Sequence, residues 1–240
     1  AASIAQVHRA EIKINGEPTE VVVKVQRPRI GEFVHADIAA SAWLAPFLVG
    51  RIPVSALANP PALVEVFAQS IVEELDFRLE AGNMLDVARS LKSLGQDGYV
   101  VPRPHPSLVT KRVLVMERLD GFQFDDLERL KAENIDPHEI VRTGMVGFLE
   151  GAMVNGIFHG DLHGGNLFVR PDGKTALLDY GIVGRLTEPK RVAFLKLMMA
   201  SMSSNVTGQV EAIRDLGALP HDVDIANVIV ELGLDGSGID

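Results

Sequence analysis

Four side chains within one stretch of eight residues could do chemistry: His159, Asp161, His163 and Asn166, in FHGDLHGGNLFV (158–169). Thirteen residues after Asn166, Asp179 opens an Asp-Tyr-Gly triplet. Three readings compete. His159, Asp161 and His163 are alternate residues, so on an extended segment they share a face and make a donor set for a hydrolytic metal such as zinc. Alternatively, the oxygens of Asn166 and Asp179 gather a hard cation such as Mg²⁺, whose other positions go to waters and phosphates, with Asp161 beside them. The third reading is a polar turn in which Asp and Asn cap backbone N–H groups.

The elements that position these groups weigh on the choice. NLFVRPDGKTALLD (166–179) reads as a β-hairpin around Asp172-Gly173. With those two as the loop, opposed positions sum to 345: Leu167 faces Leu178 and Asn166 faces Asp179. Cross-strand Cβ atoms lie about 4.5–5.5 Å apart, close enough for an amide oxygen and a carboxylate to share one cation. Asp161 enters on the same loop. An Asp, an Asn five positions on, then Asp-aromatic-Gly is the catalytic and metal-binding set of phosphoryl-transfer enzymes with a protein-kinase-like fold.

That chemistry also needs a lysine on a strand and a helical carboxylate to hold it. Residues 5–25 alternate around Asn15-Gly16, a hairpin signal; opposed positions sum to 31, so Lys24 of VVVKVQRP faces Val7. Val23 and Val25 point to the other face. Helical patterning follows over 33–48 and then in one long helix opening at Asn59-Pro60-Pro61. Leu63, Phe67, Ile71, Leu75 and Leu79 are expected as its core stripe, with Glu73, Glu74, Asp76 and Glu80 on its polar side. Asp76 and Glu80 are expected to share a face, Glu74 to pair with Arg78, and Glu73 to belong to a solvated acidic surface. Pro102, Pro104 and Pro106 end the helical region, 107–121 reads as strands, and helices are expected over 125–132, 138–155 and from Glu188 onward. The zinc-type reading leaves Lys24, Glu80 and Asp179 without a task; His159 is better read as a structural support of the loop and His163 as a helper.

Composition sets outer bounds. With 240 residues, 47% of them hydrophobic, the chain can bury a core as one domain or two packed lobes. A net charge of −9 excludes nonspecific nucleic-acid binding, which rests on clustered Lys and Arg. The absence of cysteine excludes disulfides, thiolate metal sites and thiol nucleophiles. The longest apolar run, 39–50, contains Pro46 and falls short of the roughly 20 residues of a membrane span. The ends read as cut from a longer protein.

The ordered set AASIAQVH, VVVKVQRP, EELDFRLEAGN, VLVMERLDG, HGDLHGGN and LLDYG resembles the UbiB/AarF family of atypical kinases. The resemblance implies an α+β, two-lobe protein-kinase-like fold, with a β-rich small lobe over 1–119 and a helical lobe over 120–240. It implies that Ala1, Ala2, Ser3, Ile4 and Ala5 replace a Gly-rich phosphate loop, that Lys24 meets nucleotide phosphates, and that Glu80 holds Lys24. Glu74 and Asp76 correspond to the family's ExD pair, and Met116, Glu117 and Leu119 to the hinge against adenine. Asp161 corresponds to the catalytic aspartate, and Asn166 and Asp179 to the Mg²⁺ ligands. Implied too are ATP and Mg²⁺ as cofactors, an isoprenoid-quinone precursor or lipid as partner, and a cytoplasmic location with membrane association through parts outside this chain. Three positions depart from the family pattern: Ala5 for glycine, Gly164 for proline and Tyr180 for phenylalanine. Because alanine restricts the backbone where glycine would not, transfer to protein acceptors is expected to be poor. The rival expectations are a small-molecule phosphotransferase of the aminoglycoside or choline kinase type, and a nucleotide-binding regulatory module without turnover.

Overall fold

The computed structural model describes residues 4–49 and 60–234. Ala1, Ala2 and Ser3 and the Asn59 cap lie outside them.

Strands β1 (Ala5–Ile14) and β2 (Glu17–Gln26) pair antiparallel with Val7 opposite Lys24, the expected register. Asn15 (φ 53°) and Gly16 (φ 88°) both take positive φ, as a two-residue hairpin turn of matching twist requires. β2 also pairs with β4 (Val113–Glu117), which gives a three-stranded sheet in the order β1-β2-β4. Between them come α1 (Ile30–Leu48), α2 (Pro60–Glu74), α3 (Phe77–Ser93) and the short β3 (Tyr99–Val100).

The single long helix expected from residue 59 onward is two helices. The chain breaks at Leu75-Asp76, and Asp76 caps α3 by accepting the N–H of Arg78 at 3.1 Å. The expected stripe fails with it: Leu63, Phe67 and Leu79 are exposed, and of the five only Leu75 is buried. A strict four-residue repeat advances about 40° per step around a helix of 3.6 residues per turn, so it spirals off any one face. The buried face of α3 is spaced alternately by three and four, through Phe77, Glu80, Met84, Val87 and Leu91.

The second half begins with β5 (Phe122–Gln123), α4 (Leu127–Ala132) and α5 (Pro137–Glu150), which runs on into a π-helical turn at Gly151–Asn155. β6 (Ile157–His159) pairs antiparallel with β9 (Val183–Arg185), and between them lie β7 (Leu167–Val169) and β8 (Thr175–Leu177). β7 and β8 join β3 and β5 in a four-stranded sheet ordered β3-β8-β7-β5. Helices α6 (Glu188–Met202), α7 (Val206–Leu216) and α8 (Ile225–Glu231) follow. One core runs from the α3 face through Leu114 and Met116 to Phe122, Leu167, Val169, Leu177 and Tyr180.

The second hairpin corrects the expected register by one. Leu167 lies opposite Leu177, not Leu178, because the loop holds three residues, Pro171, Asp172 and Gly173. Arg170 N–H donates to Lys174 O at 2.9 Å and Gly173 takes φ 75°. Proline's fixed φ suits the first corner of a type I turn, and the glycine then supplies the left-handed residue that closes a three-residue loop. Asn166 is therefore opposite Leu178, whose N–H it accepts at 3.1 Å, and does not face Asp179.

Candidate active site

Lys24 projects from near the C-terminal end of β2, the central strand of the first sheet, into the space between that sheet and α3, where it is only 8% exposed. Its Nζ meets Glu80 Oε1 at 2.8 Å and Oε2 at 3.0 Å, and Asp179 Oδ2 at 3.3 Å. The Phe77 ring, whose centroid lies 5.4 Å from Nζ, closes another side. Glu80 is 5% exposed and also accepts the N–H of Tyr180 at 3.4 Å.

Burial alone would lower the Lys24 pKa, but Glu80 and Asp179 outweigh it and hold the ammonium above its ordinary value. Burial pushes Glu80 up in spite of Lys24. These shifts pull opposite ways on one ion pair, and the contacts decide between them: the groups meeting the Glu80 carboxylate are donors, so it is the ionised form they fit. Burial also works to raise Asp179, yet Lys24 and the Gly181 N–H, 3.0 Å from its Oδ1, bring it below the usual carboxylate range.

These groups line a cleft of about 240 Å³ with Ile4, Glu73, Glu74, Asp161, Gly181 and Ile182. Glu74 is pushed up by burial and then by the neighbouring Asp179 charge. One ammonium thus faces five carboxylates, those of Glu73, Glu74, Glu80, Asp161 and Asp179. Asn166 lies beside Asp161: its Nδ2 donates to Asp161 O and to Oδ2, both at 3.1 Å. That commits the NH₂ end of the amide and leaves its oxygen, a hard donor, as the end available to a cation.

His159 sits between the two aspartates. Its Nδ1 accepts the Asp161 N–H at 3.1 Å and its Nε2 meets the backbone carbonyl of Asp179. Those partners require a proton on Nε2 and a lone pair on Nδ1, the neutral ring, and burial lowers its pKa in agreement. With both nitrogens used, His159 has nothing to offer a metal. Among the described residues no group of three or more His, Cys, Asp or Glu is arranged to hold one, so the zinc-type arrangement of His159, Asp161 and His163 does not form.

The acidic residues of EELD separate. Glu74 lines the cleft, whereas Asp76 turns away to bind Arg78 at 2.8 and 2.5 Å, which replaces the expected Glu74–Arg78 pair. Asp76 and Glu80 do not act on one face, since Asp76 caps the helix that presents Glu80. Glu73, read as solvated surface, is exposed but lines the cleft. Ile4 reaches the cleft and Ala5 is buried at the start of β1; Met116 and Glu117 end β4, and Leu119 follows toward β5, outside the cleft lining. Two positioning groups escaped the sequence reading. Gln26 donates to Leu75 O at 2.7 Å and to Lys111 O at 3.2 Å, tying the α2–α3 joint to β2; Asn83 reaches Tyr180 O at 3.0 Å. Neither is a reactive type, and the available signal was their place inside the stretches VVVKVQRP and EELDFRLEAGN.

Residues 1–213 match the ABC1 atypical kinase-like domain. The chain belongs to that family. It is 32% identical over 232 residues to the Protein ACTIVITY OF BC1 COMPLEX KINASE 1, chloroplastic, of Arabidopsis thaliana, covering 97% of this chain and 33% of that protein. To a protein of Vibrio atlanticus named probable protein kinase UbiB it is 31% identical, covering 94% and 41%; to an uncharacterized Mycobacterium tuberculosis protein it is 38% identical, covering 83% and 40%. The chain thus spans about two fifths or less of the length of these curated relatives. A solved Mycobacterium tuberculosis protein in complex with erythromycin shares the fold at a TM-score of 0.61 and 22% identity, over 97% of this chain and 57% of that one. No helix among the described residues is long and apolar enough to cross a membrane.

Proposed function

We propose that this domain binds ATP with Mg²⁺ and either hydrolyses it or transfers its phosphoryl group. The observation that carries the reading is Lys24, buried and forked between Glu80 and Asp179 in a cleft that Asp161 also lines. Glu80 holds the ammonium where it can meet the α/β-phosphates. Asp161, whose carboxylate is tied to Asn166, orients the attacking water or hydroxyl. The donors suit Mg²⁺ by type: the half-exposed Asp179 carboxylate and the free end of the Asn166 amide, which lie one residue off the facing register, would supply oxygen ligands, and a cation with so few protein ligands would be completed by phosphates and waters. Bound there, Mg²⁺ would neutralise phosphate charge. The five carboxylates make that neutralisation a condition of binding, since without it they repel the nucleotide.

The proposal extends, on the likeness to relatives named UbiB, to a role in isoprenoid-quinone or lipid metabolism at a membrane. Ala5, buried at 3% where glycine would be free to adjust, favours water or a small acceptor over a protein.

The test is nucleotide binding and phosphate release for the wild type, Lys24→Ala and Asp179→Asn, with and without Mg²⁺. Expected are Mg²⁺-dependent binding in the wild type, its loss in Asp179→Asn, and no release from either variant. Equal behaviour of all three overturns the assignment. Binding without release identifies a regulatory module, and release that requires an aminoglycoside or choline-like acceptor identifies a small-molecule phosphotransferase.

A further inference from the structure

The two peptide planes flanking Tyr180 are each held at both ends. In the first, His159 takes the Asp179 carbonyl and Glu80 takes the Tyr180 N–H. In the second, Asn83 Nδ2 donates to the Tyr180 carbonyl at 3.0 Å, and the Gly181 N–H donates to Asp179 Oδ1 at 3.0 Å. Asn83 stands on α3 three residues after Glu80, so one helix face reaches the backbone of both planes. Tyr180 itself is fully buried, its ring 5.3 Å from that of His159, while Asp179 next to it turns into the cleft.

The orientation of the Asn83 amide is dictated by its other neighbour. Arg185 Nη2 lies 3.1 Å from Asn83 Oδ1 and 2.7 Å from Asp86 Oδ2. A guanidinium has only donors, so it demands the amide oxygen and leaves the NH₂ end for Tyr180. Asp86 is itself held by Arg89 at 2.5 Å.

We propose that Asn83 is a positioning residue for the cation site, acting through the peptide between Tyr180 and Gly181. Glycine permits that peptide to rotate at little cost; a rotation would withdraw the Gly181 N–H from Asp179 and release the carboxylate from the orientation in which it faces the cleft. Asn83 fixes the opposite end of the same plane and so prevents it. Arg185 sets the amide that does the holding. The inference rests on the assignment of Asp179 as a Mg²⁺ ligand.

Asn83→Asp is the diagnostic substitution. It keeps the shape and the Arg185 partner but puts an oxygen against the Tyr180 carbonyl. Expected are faster amide exchange at Gly181 in the unliganded protein, and a rise of about tenfold in the Mg²⁺ concentration that half-saturates nucleotide binding, as for groups that orient metal ligands. Nucleotide affinity at saturating Mg²⁺ should change far less. Arg185→Gln, a change at a half-exposed side chain, should move both readouts in the same direction by less, and it serves if Asn83→Asp does not fold. Unchanged Gly181 exchange overturns the clamp, and so does a lowered melting temperature with the Mg²⁺ half-saturation unmoved. Faster exchange in the variants of a protein whose wild type shows no Mg²⁺-dependent nucleotide binding keeps the clamp and overturns the functional reading.

Discussion

Helices α2 and α3 follow each other with only Leu75 and Asp76 between them, yet they live in different environments. α3 buries Phe77, Glu80, Met84, Val87 and Leu91 in the core shared with β4, β7 and β8 and carries Glu80, the buried carboxylate that holds Lys24. α2 leaves Leu63, Val66, Phe67 and Val72 exposed, with Phe67 at 65%, and reaches the cleft only through Glu73 and Glu74 at its end. Both sequences are rich in apolar residues, so composition does not separate them. The break does. Asp76 caps α3, Gln26 holds the Leu75 carbonyl and Lys111 O accepts the Phe77 N–H at 3.1 Å, so α3 starts in a fixed place and direction relative to β2. A helix anchored at its first turn can deliver Glu80 one turn later within hydrogen-bond distance of Lys24.

The contrast can be broken by mutation. The largest effect is expected for Glu80→Ala, which leaves the Lys24 ammonium buried without its main partner; denaturant unfolding should show a loss of about 4 kcal/mol. A loss below about 1 kcal/mol would mean that the pair is not buried as described. Next comes a matched pair of truncations. Met84→Ala on α3, fully buried, should cost about 3 kcal/mol, while Phe67→Ala on α2 should stay within about 0.5 kcal/mol. Equal costs would erase the distinction between the helices. Asp76→Ala, which removes the α3 cap, should cost about 1 kcal/mol in the same assay. Its exposed partner Arg78 adds little to that figure. The smallest change sharpens the comparison on the partner side of α3: the Tyr180 hydroxyl is buried and has no hydrogen-bond partner among the described residues. Tyr180→Phe should therefore raise the unfolding free energy by about 1 kcal/mol at most, and the midpoint with it, because an unsatisfied buried hydroxyl is a cost that phenylalanine lacks. A fall in the midpoint would show that the hydroxyl has a partner.

Much of the site was legible because its residues are chemically unusual for their surroundings. A lysine in VVVKV, a carboxylate in EELDFRLEAGN and the Asp-Asn-Asp set of the second half read as phosphate and cation chemistry before any packing is known. The first hairpin register was legible for a local reason: Asn15-Gly16 alone satisfies a two-residue turn with positive φ at both positions. The second was misread by one residue because Asp172-Gly173 carries the same signal while Pro171 enlarges the loop. The helix break was misread because apolar spacing dominated the reading of 59–79. An Asp directly before the buried series at Phe77 was the available cap signal.

Local sequence determined the two hairpins, most of the helices and the identity of the charged groups, because those follow from backbone preference and side-chain chemistry within a few residues; it did not determine the second hairpin's register or the short strands β3, β6 and β9. The tertiary structure alone decided which apolar residues are core, which member of EELD enters the cleft, and how Gln26 and Asn83 hold backbone carbonyls far along the chain. Burial and hydrogen bonding between segments some fifty to a hundred residues apart depend on where whole helices and sheets come to rest, and no local pattern encodes that position.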